Sequence, residues 1–141
     1  MTLWKCLLGT YWINGYEEML RIQDIRNIHA VFNTEVFGGE LSAVAIGMKR
    51  SGSSYGAYIY GSNVTNSRIN ISKEIIVNGD MGEILGTLAH EMCHQAQFEF
   101  DDLTFKEADK EMQSHGDTFQ AYLTDFKERF KKHQFINEIY A

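Results

Sequence analysis

The five residues His90-Glu91-Met92-Cys93-His94 are the stretch best suited to do chemistry. Two imidazoles four positions apart lie about 40° around a helix from each other and one turn along it, so both can point at a single ion. Neutral imidazole suits Zn²⁺, and that ion lowers the pKa of its water from about 15.7 to roughly 7. Glu91, beside the first imidazole, is placed to take the water's proton. The chemistry implied is hydrolysis, with Zn²⁺ as cofactor and Glu91 as general base.

Two histidines do not complete such a site, because a catalytic zinc takes three protein ligands and keeps one position for water. One spacing used for a third ligand, six residues past the second histidine, falls on Phe100, which cannot coordinate. His115, Glu107 and Glu111 remain. His115 is preferred: Ser114 reads as the cap of the last helix, a first helical turn is a fixed mount, and Gly116 leaves room beside the ring. Glu111 would instead give a His₂Glu site, which is chemically sound. His29 lies on an apolar stripe and reads as a core histidine with one hydrogen-bond partner. Tyr55, Tyr58 and Tyr60 are candidates for a second contact to the oxyanion.

These residues need elements to hold them. Met81 to Phe98 reads as one helix, with Asn78-Gly79 as a turn before it, Asp80 as cap and Glu83 at capping-box spacing. Leu85, Leu88, Ala89, Met92 and Ala96 gather on one side as a core face. Glu83, Thr87, His90 and His94 gather opposite as a working face. Upstream, after Asn14-Gly15, the residues Met19, Ile22, Ile25, His29, Phe32 and Val36 recur at spacings of three and four and predict a long helix ended by Gly38-Gly39.

From Leu41 to Ile76 the period becomes two, through Val44, Ile46 and Met48, then Tyr58 and Tyr60, then Ile69 and Ile71. Ser51-Gly52-Ser53-Ser54 and Gly61-Ser62-Asn63 break the run as turns, which predicts a three-stranded antiparallel meander. Thr104 and Glu107 mark a weaker helix. Phe119, Tyr122, Leu123, Phe126 and Phe130 form the core stripe of the last one. The fold class expected is α+β.

A chain of 141 residues with 44% hydrophobic and 13% aromatic content suffices for one packed domain over residues 1–141. Two cysteines, Cys6 and Cys93, are too few for a disulfide scaffold and make no C-x-x-C pair. A reducing, cytoplasmic location is the expectation. The opening Met1 to Gly15 has one charge, Lys5, and no cleavage pattern, and no run reaches the ~20 apolar residues of a membrane span. Net charge is −6, which argues against a generic polyanion binder. The basic cluster Lys127, Arg129, Lys131 and Lys132 falls where cations favour the C-terminal end of a helix dipole.

The run Thr87-Leu88-Ala89-His90-Glu91-Met92-Cys93-His94, followed by Ser114-His115-Gly116-Asp117-Thr118-Phe119, resembles the SprT-like family of zinc metallopeptidases. Phe32-Asn33-Thr34-Glu35-Val36-Phe37-Gly38-Gly39-Glu40-Leu41 is similar to that family's segment leading into its sheet. The resemblance implies a minimal zincin-like fold, His90, His94 and His115 as zinc ligands, Glu91 as general base, and a protein or peptide substrate. Some relatives act on proteins crosslinked to DNA and carry a zinc ribbon or basic extension. This chain has neither, so DNA association rests on the resemblance alone and net charge does not support it. The alternative is a zinc-stabilised protein- or DNA-associated binding module without turnover. That reading gives Glu91, a carboxylate beside the site and outside the ligand set, nothing to do.

Overall fold

A computed structural model describes residues 22–49, 55–60, 67–78, 81–101 and 115–131. The elements are α1 (Ile22–Phe37), β1 (Ala45–Lys49), β2 (Gly56–Ile59), β3 (Arg68–Ser72), α2 (Lys73–Asn78), α3 (Met81–Phe100) and α4 (Asp117–Arg129). The α+β class and the minimal zincin-like layout are as expected. The helix start at Asn14-Gly15, both serine- and glycine-rich turns, Gly79, Asp80 and the Thr104–Glu107 helix lie outside the described residues.

Helix α1 buries Ile25, His29 and Phe32 of the stripe that its three- and four-residue spacings anticipate, keeps Ile22 and Val36 partly buried at its margin, and adds Ile28 and Phe37 to the core. Gly38 and Gly39 end it at φ +62° and +80°, where a Cβ would strain the backbone. Asn33 then fastens the turn. Its side-chain nitrogen donates to the Leu41 carbonyl at 2.8 Å, and the Leu41 amide donates to its side-chain oxygen at 2.9 Å. The chain therefore leaves α1 in a fixed direction towards β1.

The sheet corrects the meander. Its order is β1-β3-β2, with β1 parallel to β3 (Ile46 opposite Ile69) and β2 antiparallel to it (Tyr58 opposite Ile69). The physical reason lies in burial. Ile69, Asn70, Ile71 and Ser72 are buried on both faces of β3, while Met48 on β1 and Ile59 on β2 are exposed. A strand covered on both faces belongs in the middle, and alternation within single strands does not encode which strands pair.

The strand-like run to Ile76 is also corrected. Period two stops at Ser72, whose hydroxyl donates to Glu74 at 2.8 Å at the start of α2. Ile75 and Ile76 then pack into the core from a helix. Asn78 closes α2, and Gly79 after it lies outside the described residues.

Helix α3 runs through the centre of the molecule. Leu85, Leu88, Ala89, Met92 and Ala96 are fully buried, as its core face predicts. Its other side is buried too: Thr87, His90, Glu91, His94, Gln95 and Gln97 are all nearly or wholly inaccessible. A helix buried all round is covered by neighbours, here by β2 and β3 on one hand and α4 on the other. Helix α4 adds Phe119, Leu123 and Phe126 to the core, with Phe126 5.3 Å from Phe32 and 5.5 Å from Phe37 between ring centroids. Tyr122 of α4 donates to Asp101 at 2.6 Å, pinning the far end of α3.

Candidate metal centre

The two histidines of α3 stand one turn apart on a rigid, buried helix. The third, His115, comes from a different mount than its sequence position suggests. It lies before α4, with Gly116 as the N-cap and Asp117 as the first helical residue. Ser114 lies outside the described residues, and the cap position belongs to Gly116, whose carbonyl accepts the Gln120 amide at 3.0 Å. Asp117 is favourable at the positive end of the helix dipole, which starts the helix there. His115 adopts φ +50°, a left-handed conformation that costs a non-glycine residue about 1–3 kcal/mol. That turn swings the imidazole back against α3, and Gln120 Nε2 donates to the His115 carbonyl at 3.2 Å.

The three rings converge through the same atom. His115 Nε2 is 3.2 Å from His94 Nε2 and 3.3 Å from His90 Nε2. One Nε2 carries at most one hydrogen, so these contacts cannot both be hydrogen bonds donated by His115. Nitrogens bound to one tetrahedral zinc at about 2.0–2.1 Å would stand about 3.3–3.4 Å apart, and the observed separations match that edge. Among the described residues, His90, His94 and His115 are the one group of ligating side chains whose donor atoms all lie within 4.8 Å of one another. The group could hold a metal ion, and its donors are compatible with zinc.

The surroundings keep His94 neutral and aimed. Burial lowers the pKa of His94 to about 4, aided by His115 and opposed by its hydrogen bond to Gln97, so its ring is uncharged at neutral pH. His94 Nδ1 is 2.9 Å from Gln97 Oε1, and Gln97 Nε2 donates to Thr118 Oγ1 at 2.7 Å. The buried ring of Phe119 lies 4.9, 4.7 and 4.9 Å from the rings of His90, His94 and His115, forming a hydrophobic floor under all three.

Glu91 is buried on α3 beneath β2. A Cβ on Gly56 would sit 2.8 Å from Thr87 Cγ2, 2.9 Å from the Asn70 carbonyl and 3.5 Å from Glu91 Cγ, so glycine lets β2 approach the helix at this carboxylate. Tyr58 and Tyr60 stack on each other and against Phe98, and burial pushes the Tyr58 hydroxyl to about 12. Tyr55 precedes Gly56 and is exposed.

A family model corroborates what the geometry suggests: the SprT-like model matches residues 25–139. The chain belongs to the SprT-like family. No curated protein matches its sequence. In this SprT-like chain the expected trio of histidines comes together, whereas the competing third-ligand candidates Glu107 and Glu111 lie outside the described residues. His29 lies away from the trio, hydrogen-bonded to Gln95 at 2.9 Å in the core. Sequence reasoning missed Gln97, Thr118 and the second duty of Phe119. The signals were present as spacing: Gln97 is three residues past His94, and Phe119 is four past His115. Among the described residues, no helix is long and apolar enough to cross a membrane.

Proposed function

We propose that this SprT-like chain is a zinc metallopeptidase that hydrolyses peptide bonds of protein substrates, with His90, His94 and His115 as ligands and Glu91 as general base. The observation that carries this reading is that His115 Nε2 stands at tetrahedral ligand spacing from both His94 Nε2 and His90 Nε2, with the donor atoms of all three within 4.8 Å of one another. A zinc ion held by them supplies Lewis acidity, acidifying water and polarising a carbonyl. The chain's own residues do the rest. Glu91 accepts the proton of the attacking water and returns it to the departing amine. Burial of the site strengthens each of these electrostatic contacts.

The substrate would enter extended along β2. Among the described residues β2 pairs with β3 alone, and its Gly56 lies close to Glu91, so a strand added to β2 would run near the carboxylate. Strand addition there satisfies the substrate backbone and brings a peptide bond past the site. DNA has no part in this reading. Arg129 pairs with Glu35 and Lys131 with Glu128 at 3.1 Å, and the net charge is −6. Duplex DNA is expected to bind no better than about micromolar at about 0.15 M salt. A nanomolar, salt-sensitive complex in a fluorescence-anisotropy titration would return DNA to the reaction.

The deciding experiment replaces Glu91 with Gln. Purified Glu91→Gln should contain about one zinc per chain. Its hydrolysis of an unfolded protein should fall by about 10²–10⁴, because the amide cannot accept the proton. Zinc-loaded wild type that turns over no unfolded protein would favour the binding module instead. Full activity in Glu91→Gln would remove Glu91 from the mechanism.

A further inference from the structure

We infer that Gln97 is a positioning residue that makes His94 a ligand by fixing its tautomer, and that through Thr118 it couples this ring to the segment bearing His115. The inference rests on the zinc reading above and deepens it. Gln97 is fully buried, and both ends of its amide are used: Oε1 faces His94 Nδ1 at 2.9 Å, and Nε2 donates to Thr118 Oγ1 at 2.7 Å. An amide oxygen only accepts, so the hydrogen of the neutral His94 ring sits on Nδ1. Its lone pair is then left on Nε2, the atom facing His115 Nε2.

The reverse orientation shows what is at stake. With the amide turned over, its NH₂ would donate to Nδ1, the ring hydrogen would move to Nε2, and the donor pair would be lost. Thr118 does not choose between these states, because a hydroxyl can accept from the NH₂ or donate to the oxygen. The choice therefore sits in the Gln97–His94 bond. Ligating histidines are oriented in this way by a partner on the second ring nitrogen.

The same side chain reaches a second ligand. Thr118 lies in the first turn of α4, three residues after His115, so the bond from Gln97 anchors the start of α4 against α3 where His115 must fold back. The neighbouring Gln95 serves a separate network, binding His29, the Ser42 carbonyl and Glu99.

Three variants and one measurement on the wild type test this. In metal-free wild type, ¹⁵N NMR should show His94 with its hydrogen on Nδ1; a hydrogen on Nε2 overturns the inference without any variant. Zinc affinity, by competition with a chromophoric chelator, should fall about 10- to 100-fold in Gln97→Leu. Gln97→Glu should retain the wild-type value, since a carboxylate accepts from Nδ1 and the Thr118 hydroxyl can donate to it. Thr118→Val should weaken zinc less than Gln97→Leu and should alter the visible spectrum of the Co²⁺-loaded protein through displacement of His115. Equal affinity in Gln97→Leu and wild type, or equal losses in Gln97→Leu and Gln97→Glu, would overturn the positioning role. If Gln97→Leu fails to fold, the tautomer measurement and Gln97→Glu still decide. Wild type that binds neither Zn²⁺ nor Co²⁺ would sink the zinc reading itself, while the NMR result would judge the Gln97 bond separately.

Discussion

Two buried histidines of this molecule, His29 and His94, each contact the side-chain oxygen of a glutamine on α3 at 2.9 Å, and they do so with opposite ring nitrogens. His29 spends its outer nitrogen, Nε2, on Gln95. His94 spends its inner nitrogen, Nδ1, on Gln97 and leaves Nε2 to meet the imidazole of His115. The glutamines differ in the same sense. Gln95 donates to the Ser42 carbonyl at 2.8 Å and to Glu99 at 2.7 Å, and Glu99 accepts the Ser42 amide at 2.8 Å. That network ties α1, α3 and the approach to β1 into one frame. Gln97 ties α3 to the turn that presents His115. One residue pair thus serves a structural joint in one place and a candidate metal centre in the other, and the nitrogen left over marks which is which.

The largest expected effect separates the pairs by metal content. His94→Ala should lose stoichiometric zinc by elemental analysis, because two imidazoles remain where three are needed. His29→Leu should keep about one zinc per chain. If the two variants lose metal alike, the distinction between joint and ligand fails. His115→Ala should behave as His94→Ala does; retention of zinc there would point to a ligand among the residues before it, Glu111 first.

A middling effect runs the other way. His29→Leu leaves the buried Gln95 oxygen without its donor, which costs about 1–3 kcal/mol in denaturant unfolding of the metal-free protein. His94→Ala should cost the zinc-loaded state more than the metal-free state, since metal bound only to the folded chain stabilises it. A chelator should therefore lower the melting temperature of His29→Leu and wild type, and leave that of His94→Ala unmoved.

The difference between the pairs also explains how much of the molecule the sequence could disclose. The shared mount of His90 and His94 was legible because two imidazoles one helical turn apart are a local pattern, and His29 was legible as core because it lies on a stripe with Ile25 and Phe32. What a side chain meets across the fold was not. Nothing local tells Gln95 from Gln97, although one faces His29 from 66 positions away and the other reaches Thr118 across 21. The parallel pairing of β1 with β3 escaped for the same reason. Alternation gives each strand two faces and no neighbour, so the most deeply buried strand took the middle of the sheet. The backbone of His115 was misplaced by a smaller margin: the helix start moved from Ser114 to Gly116, turning a first-turn mount into a left-handed one.

The smallest effect tests whether His29 is held neutral as a joint should be. Burial lowers its pKa below the ordinary 6.5, against the raising influence of Gln95 and Glu99. Above pH 6.5 the ring is neutral in both folded and unfolded chains and contributes no pH dependence. As pH falls below 6.5 the unfolded chain takes up a proton that the folded chain refuses, so unfolding becomes easier, by at most about 1.4 kcal/mol per pH unit for one group. The loss levels off only below the folded pKa. In metal-free protein His94 adds a loss of the same sign between 6.5 and about 4, so the wild-type slope holds both shares. Gln at position 29 can still donate to Gln95 and does not titrate. Stability measured by urea unfolding in chelator should fall less steeply from pH 6.5 to 5 in His29→Gln than in wild type. An unchanged slope would mean that His29 takes up its proton in the folded core, and that its bond to Gln95 is not the neutral joint that sets it apart from His94.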